Sequence, residues 1–184
     1  NITPRAATPP GAQGAPNITP RAATPPGAPD PQRVDARVIE NIVRGGIPHC
    51  KALNMRVAEV GADWVTLALP YDERLVGDPD TGVLHGGAVT TLIDTVSGMA
   101  AMLAIGRLAL VATLDLRIDY LKPATAGREL LARADCYKLT RHIAFVRGRA
   151  YHAGAPDDLV AASTGAFMLG AGEDSPQAAP APAP

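Results

Sequence analysis

Gly82-Val83-Leu84-His85-Gly86-Gly87-Ala88-Val89-Thr90-Thr91-Leu92-Ile93-Asp94-Thr95-Val96-Ser97-Gly98 sets one carboxylate in the middle of an otherwise apolar helix. An unpaired ionised group in an apolar setting costs several kcal/mol or loses its charge, so such an Asp is either hydrogen-bonded by design or kept for chemistry. The pattern predicts a helix over 86–104, opening on Gly86 and Gly87 after a polar loop over 71–82. Positions 89, 92, 96, 99 and 103 are Val, Leu, Val, Met and Leu, a stripe at helical spacing that should meet a sheet. The stripe through Asp94 holds Gly87, Thr91, Gly98 and Ala101, small enough for another backbone or a ligand to come close.

Ahead of this helix, Val34, Val38, Ile42 and Val43 recur at helical spacing and stop at Gly45-Gly46. Alternating apolar residues then predict strands over 51–60 and 64–69, joined by a turn at Gly61-Ala62-Asp63. Beyond the helix, 111–121 alternates, with Leu114, Leu116, Ile118 and Tyr120 on one face and Thr113, Asp115, Arg117 and Asp119 on the other. Further strands are expected over 128–137, 143–152 and 159–169. Short links between successive strands imply an antiparallel sheet, so the expected class is α+β, with about six strands curling round one long helix.

The chain has 184 residues and a formal net charge of −1, which supplies no electrostatic footprint for nucleic acid. Cys50 and Cys136 lie far apart without CxxC spacing, so neither a zinc site nor a disulfide framework is expected, and a reducing cytoplasm is the simplest compartment. The apolar run over 88–105 is interrupted by Thr90, Thr91, Asp94, Ser97 and Gly98 and lacks flanking anchors, which argues against a membrane span. Residues 1–12 recur unchanged as 17–28, and this proline-rich stretch has almost no apolar bulk. Disorder is therefore expected over 1–32 and in the Pro/Ala tail over 171–184, leaving one folded domain over 33–170. There is no Walker loop, dinucleotide fingerprint, GxSxG elbow or metal-ligand cluster, and no metal or cofactor is expected.

The two glycines put free N–H groups and the positive end of the helix dipole where a developing oxyanion could sit, which is half of an acyl-transfer site. Asp94 could be the other half, but it lies eight residues beyond Gly86, about 12 Å along the axis at roughly 1.5 Å per residue. One helix cannot apply both groups to a single carbonyl. Two antiparallel copies, related by the two-fold axis of a dimer, could.

His85-Gly86-Gly87, Leu92, Asp94, Gly98, the later Tyr120-Leu121-Lys122-Pro123-Ala124, the strand Ile143-Ala144-Phe145-Val146-Arg147-Gly148-Arg149-Ala150 and the last strand over 160–168 resemble the PaaI-type acyl-CoA thioesterases of the hotdog superfamily. The resemblance covers about residues 47–169. It implies a long helix wrapped by an antiparallel sheet, paired protomers in a homodimer or a dimer-of-dimers tetramer, and hydrolysis of acyl-CoA to free acid and CoA without metal or redox cofactor. By resemblance Asp94 is the nucleophile or the general base for water, and the Gly86 N–H of the other subunit polarises the thioester carbonyl. His85 would orient the loop and the thioester, and Thr113 would help to hold the carboxylate or water, although simple alternation turns Thr113 away to the polar face.

Related sequences often carry an Asn ahead of the His. This chain has Gly77-Asp78-Pro79-Asp80-Thr81 there, so that Asp78 or Asp80 fills the place. Gly87, Asp78 and Arg141 are the candidate substrate-binding residues, with Arg147, Arg149 and Lys138 as further candidates for the CoA phosphates. Two alternatives to the hydrolase stand beside it. One is a non-catalytic acyl-CoA-binding protein of the same fold, and the other is an enoyl-CoA hydratase that pairs Asp80 with His85.

Overall fold

A computed structural model of the chain describes residues 34–61 and 63–170. The chain divides into units Asn1–Asp30 and Pro31–Pro184, and every described residue belongs to the second. The duplicated segment over 1–32 and the tail over 171–184, both expected to be disordered, lie outside the described residues.

Asp35 opens helix α1 (Ala36–Asn41) by accepting from the Arg37 and Val38 N–H groups, and a π-helical turn, Ile42–Gly46, continues it. Val34, Ile39 and Val43 from this start of the domain are buried. The strand expected over 51–60 is present only as β1 (Arg56–Val60). Lys51 and Ala52 instead end a short helix, α2 (Pro48–Ala52), which Pro48 starts because at the first helical position it presets the backbone and needs no N–H partner there. Lys51 and Leu53 N–H bond back to the carbonyls of Ile47 and His49, and Asn54 turns the chain with a φ of 52°.

Strand β2 (Trp64–Leu69) follows as expected. The polar loop over 71–82 is more ordered than its composition suggested. It contains a 3-10 turn, Glu73–Leu75, and strand β3 (Val76–Asp78), which pairs with β4 (Val83–Leu84) in a two-stranded ribbon. That ribbon delivers the chain to helix α3 (Gly86–Ile105). Gly106 ends α3 in the left-handed region, φ 72°, and its N–H reaches the Met102 and Leu103 carbonyls.

Strands β5 (Val111–Tyr120), β6 (Leu130–Leu139), β7 (Ile143–His152) and β8 (Leu159–Leu169) complete one six-stranded antiparallel sheet in the order β1-β2-β6-β7-β8-β5. Helix α3 packs on β2, β5, β6, β7 and β8. Val89, Leu92, Val96, Met99 and Leu103, the stripe chosen from spacing, are all buried, and Ile93 and Ala100 join them. Each large apolar side chain so covered contributes roughly 1.5–3 kcal/mol. By length and composition α3 could cross a membrane, yet here it is the core helix of a sheet.

Strand β5 stands at the edge, paired on one side only, with β8. Its register slips between Thr113 and Asp115, leaving Leu114 as the extra residue of a β-bulge. The bulge changes the alternation read from sequence. Leu116 and Ile118 still pack toward the core, but Thr113, three residues before Leu116, turns to the same side, while Leu114 is 53% exposed.

Candidate active site

His85 caps α3. Its backbone is extended (φ −62°, ψ 136°), its Nδ1 accepts from the Gly87 N–H at 2.9 Å, and its carbonyl accepts from the Ala88 N–H. Accepting at Nδ1 requires the neutral ring to carry its proton on Nε2, so the exposed edge of His85 presents a donor. With the Gly87 and Ala88 donors occupied, the Gly86 N–H is the first orphan donor of the helix and has no acceptor among the described residues. His85 and Gly86 are thus brought together as expected. Gly87, proposed to bind substrate, has its N–H committed to His85.

Gly86 also forms the floor of an open cleft of about 390 Å³, with Val83, Leu84, Val89, Tyr120, Leu121, Lys122, Pro123, Ala124 and Val160 among its lining residues. The Gly86 carbonyl is held by two hydroxyls, Thr90 Oγ1 and Tyr120 Oη, each 3.0 Å away, and the two hydroxyls lie 2.7 Å apart. The Gly86–Gly87 peptide is therefore held at both its carbonyl and its N–H, and the His85–Gly86 peptide before it has its carbonyl on the Ala88 N–H and its Gly86 N–H without an acceptor among the described residues. Reading the sequence residue by residue assigned no role to Thr90 or Tyr120. Tyr120 was visible only as part of the Tyr120-Leu121-Lys122-Pro123-Ala124 motif, and nothing in the sequence pairs it with position 90.

Asp94 sits two turns along α3, half-buried rather than enclosed in the single chain. Thr113 Oγ1 donates to Asp94 Oδ1 at 2.7 Å, a short bond to a charged acceptor. The bulge at Leu114 makes this contact possible, against the alternation expected from the sequence. One carboxylate oxygen is thus pinned and Oδ2 is left over.

Asp78 turns its charge into its own loop. Its carboxylate accepts from Thr81 Oγ1 at 2.6 Å and from the Asp80 N–H at 3.1 Å, and the Thr81 hydroxyl, with the Asp80 amide behind it, holds its carboxyl below the ordinary value. Asp80 lends that loop its amide, and His85 Nδ1 is engaged by Gly87, so the Asp80–His85 pair that a hydratase reading needs is not formed. Arg141 lies exposed in the β6–β7 turn, at the Val111 end of β5, and makes no ion pair among the described residues. Arg147 is stacked on Tyr137 and paired with Asp135 on the outer face of the sheet. Both cysteines are free, and burial pushes each thiol up, away from nucleophilic use. Among the described residues no three His, Cys, Asp or Glu side chains gather as metal ligands.

Residues 81–156 match the pattern of the Thioesterase superfamily. The chain is similar to a Haemophilus influenzae protein carrying a provisional esterase name, at 32% identity over 91 residues, 50% of this chain and 64% of that one. It is also similar to the Escherichia coli medium/long-chain acyl-CoA thioesterase YigI, at 23% identity over 67% of this chain and 86% of YigI. Among solved structures, a Pseudomonas aeruginosa protein is 37% identical with a TM-score of 0.63, covering 71% of this chain and 98% of that one. A variant of the phenylacetic acid degradation protein PaaI from Thermus thermophilus is 27% identical with a TM-score of 0.58, over 66% and 98% of the two chains. The match spans less than two thirds of the length of the first curated relatives, 64% and 58%. Residues 81–156 thus carry the thioesterase-superfamily pattern, and the fold is the hotdog, the PaaI-like arrangement of one long helix in an antiparallel sheet.

Proposed function

We propose that this chain hydrolyses acyl-CoA thioesters to the free acid and CoA, as a homodimer or a dimer of such dimers. The observation that carries the reading is the Thr113–Asp94 bond: a carboxylate with one oxygen pinned by a hydroxyl and the other unclaimed, on the same helix as an N-terminal N–H without an acceptor among the described residues. The acyl-CoA thioesterase name of a relative and the superfamily match support the substrate class.

In this reading the thioester carbonyl oxygen rests on the Gly86 N–H of one protomer, and the Nε2–H of His85 helps to orient the group. Asp94 of the other protomer attacks the carbonyl carbon or takes a proton from the attacking water. The carbonyl oxygen gains negative charge as the tetrahedral centre forms, and the helix N-terminus stabilises it there more than in the ground state. The C–S bond then breaks and the CoA thiolate leaves, to be protonated; where water attacked, the free acid forms directly, and where Asp94 attacked, water next cleaves the acyl–Asp94 anhydride to give the acid and restore the carboxylate. The exposed edge strand β5 is the natural seam for a second copy, since long unpaired edges are otherwise protected in native proteins. The domain is taken as residues 33–170, Arg141 as a candidate for the CoA phosphates, and the cytoplasm as the working compartment.

Thiol release from a panel of aromatic and aliphatic acyl-CoAs, unaltered protein against Asp94→Asn, tests the proposal. Release should fall by about 10³-fold in the variant, the scale set by losing an acid–base group. If neither protein releases thiol while both bind the esters, the chain is an acyl-CoA-binding protein instead.

A further inference from the structure

His152 is the one histidine sealed in the core, 2% exposed, and the chemistry above makes no use of it. It ends β7 on the sheet face that meets the helix, opposite Leu130 of β6. Its Nε2 accepts from the Thr125 N–H at 2.9 Å, and its Nδ1 lies 2.9 Å from the Glu129 carbonyl. Since a carbonyl can only accept and an amide N–H can only donate, these partners fix the neutral ring with its proton on Nδ1. No other arrangement satisfies both groups, since a proton on Nε2 alone would leave the Thr125 N–H without its acceptor and the Glu129 carbonyl without a donor.

The two anchored backbone groups are the ends of a short loop, 125–129, which follows directly on one side of the cleft. Residues 120–124 line it, and Ala124 is buried. The segment is tied to the β7–β8 hairpin by the Leu121 and Lys122 N–H groups on the Val160 carbonyl, by the Lys122–Asp158 ion pair and by Arg128 on the Ala153 carbonyl. Of these side-chain ties His152 alone is buried. The far side of the loop bears on the approach to the catalytic helix. A Cβ placed on Gly82 would lie 2.9 Å from Ala126 Cβ, so the Ala126 methyl packs closely on the Gly82 backbone, and Tyr71 Oη donates to the Gly82 carbonyl at 2.9 Å. Three residues on from Gly82 comes the His85 cap, and then the Gly86 N–H.

We infer that His152 is a positioning residue: by holding Thr125 and Glu129 it anchors the loop behind residues 121–124, which line the cleft, and through Ala126 against Gly82 it steadies the turn that leads to the Gly86 N–H. This deepens the proposed function and rests on it for the role of Gly86. Charged groups around His152 lie toward the surface and are otherwise engaged, Lys122 with Asp158, Glu129 with Arg56 and Arg128 with the Ala153 carbonyl, so none substitutes for its two bonds.

The test compares His152→Asn with His152→Gln in the full chain. The Asn amide can replace the ring at Nδ1 and donate to Glu129, but it withdraws the acceptor from Thr125. The longer Gln can return an oxygen to Thr125. The Asn variant should lose about tenfold in kcat/KM on the best acyl-CoA of the panel, the loss lying in kcat, and Gln should recover most of it. In amide NMR spectra the Thr125, Gly82 and Gly86 resonances should move together in Asn and return toward their places in Gln. A folded Asn variant with unchanged kcat/KM, or with shifts that stop at Thr125 and Glu129, overturns the inference. If the Asn variant does not fold, a Gln variant as impaired as a truncation to Ala overturns it, and near-normal turnover with Gly86 in place supports it. Should the unaltered protein release no thiol at all, the proposed function fails on its own, and the Gly82 and Gly86 resonances still decide the role of His152.

Discussion

The two ends of the candidate site are built to different degrees of completion. At the N-terminus of α3 everything needed lies within one chain: His85 caps the helix, Thr90 and Tyr120 hold the Gly86 carbonyl, and a cleft opens over the Gly86 N–H. Around Asp94 the same chain supplies one partner, Thr113, and then ends at an exposed edge strand. The Asp94 region is half-exposed where the N-terminal region is braced. A carboxylate that is half-finished beside a strand with one edge unpaired is what a site shared between two copies requires of each copy. The eight-residue separation, about 12 Å along the helix, says the same from geometry alone.

The strongest way to break this comparison is to remove the finished end without disturbing the fold. Gly86→Pro does so: proline is well tolerated at the first helical position, and the extended His85 backbone already suits a residue preceding proline. A Cβ at Gly86 would find its nearest neighbour, Tyr120 Oη, at an ordinary 3.6 Å. Only the N–H disappears. Thiol release should fall by about 10²–10³-fold with the melting temperature little changed, and retained activity would remove Gly86 from the mechanism.

Thr113→Val sharpens the unfinished end. It keeps the shape and withdraws one hydrogen bond to a charged group, so turnover should fall by about tenfold, with Thr113→Ser restoring it. Equal activity of Val and Thr would mean that Asp94 is oriented by something outside the single chain.

The smallest effect is expected at Asp78. Its carboxyl is held low in the folded protein by the Thr81 hydroxyl, so its contribution to stability is present above the ordinary carboxylate range and is lost as the pH falls through the depressed value. Thr81→Ala should bring the Asp78 titration back toward the ordinary value, seen by NMR, while thiol release changes by less than about twofold. A large loss of turnover would return Asp78 to the substrate.

Most of the architecture could be read from residue spacing because burial imposes it. The stripe Val89, Leu92, Val96, Met99 and Leu103 was legible as a helix face, and β7 and β8 lie where alternation put them. The misreadings have local causes. Pro48 starts a helix that takes Lys51 and Ala52 from the start of the expected strand, and the turn at Leu53 and Asn54 delays β1 to Arg56. A bulge at Leu114 brings Thr113, ahead of it, to the face of Leu116 and Ile118, and no side chain in the strand announces it, because an extra residue is defined only against its partner β8. Of the site, His85, Gly86 and Asp94 were legible as polar or flexible residues breaking an apolar pattern. The bonds of Tyr120 to Gly86 and of His152 to Thr125 were not, since they join residues 34 and 27 positions apart through folding alone.

The central claim is that Asp94 and Gly86 of one working site come from different chains, and subunit mixing tests it most directly. Asp94→Asn and Gly86→Pro proteins, each inactive, are unfolded together in equal amounts, refolded and assayed for thiol release. A shared site leaves one intact centre in every mixed dimer, so activity should return to about a quarter of the unaltered level, half of the dimers being mixed with one good site in two. If both residues serve from the same chain, every centre in the mixture carries a defect, and activity that stays at the level of the separate variants would contradict the account.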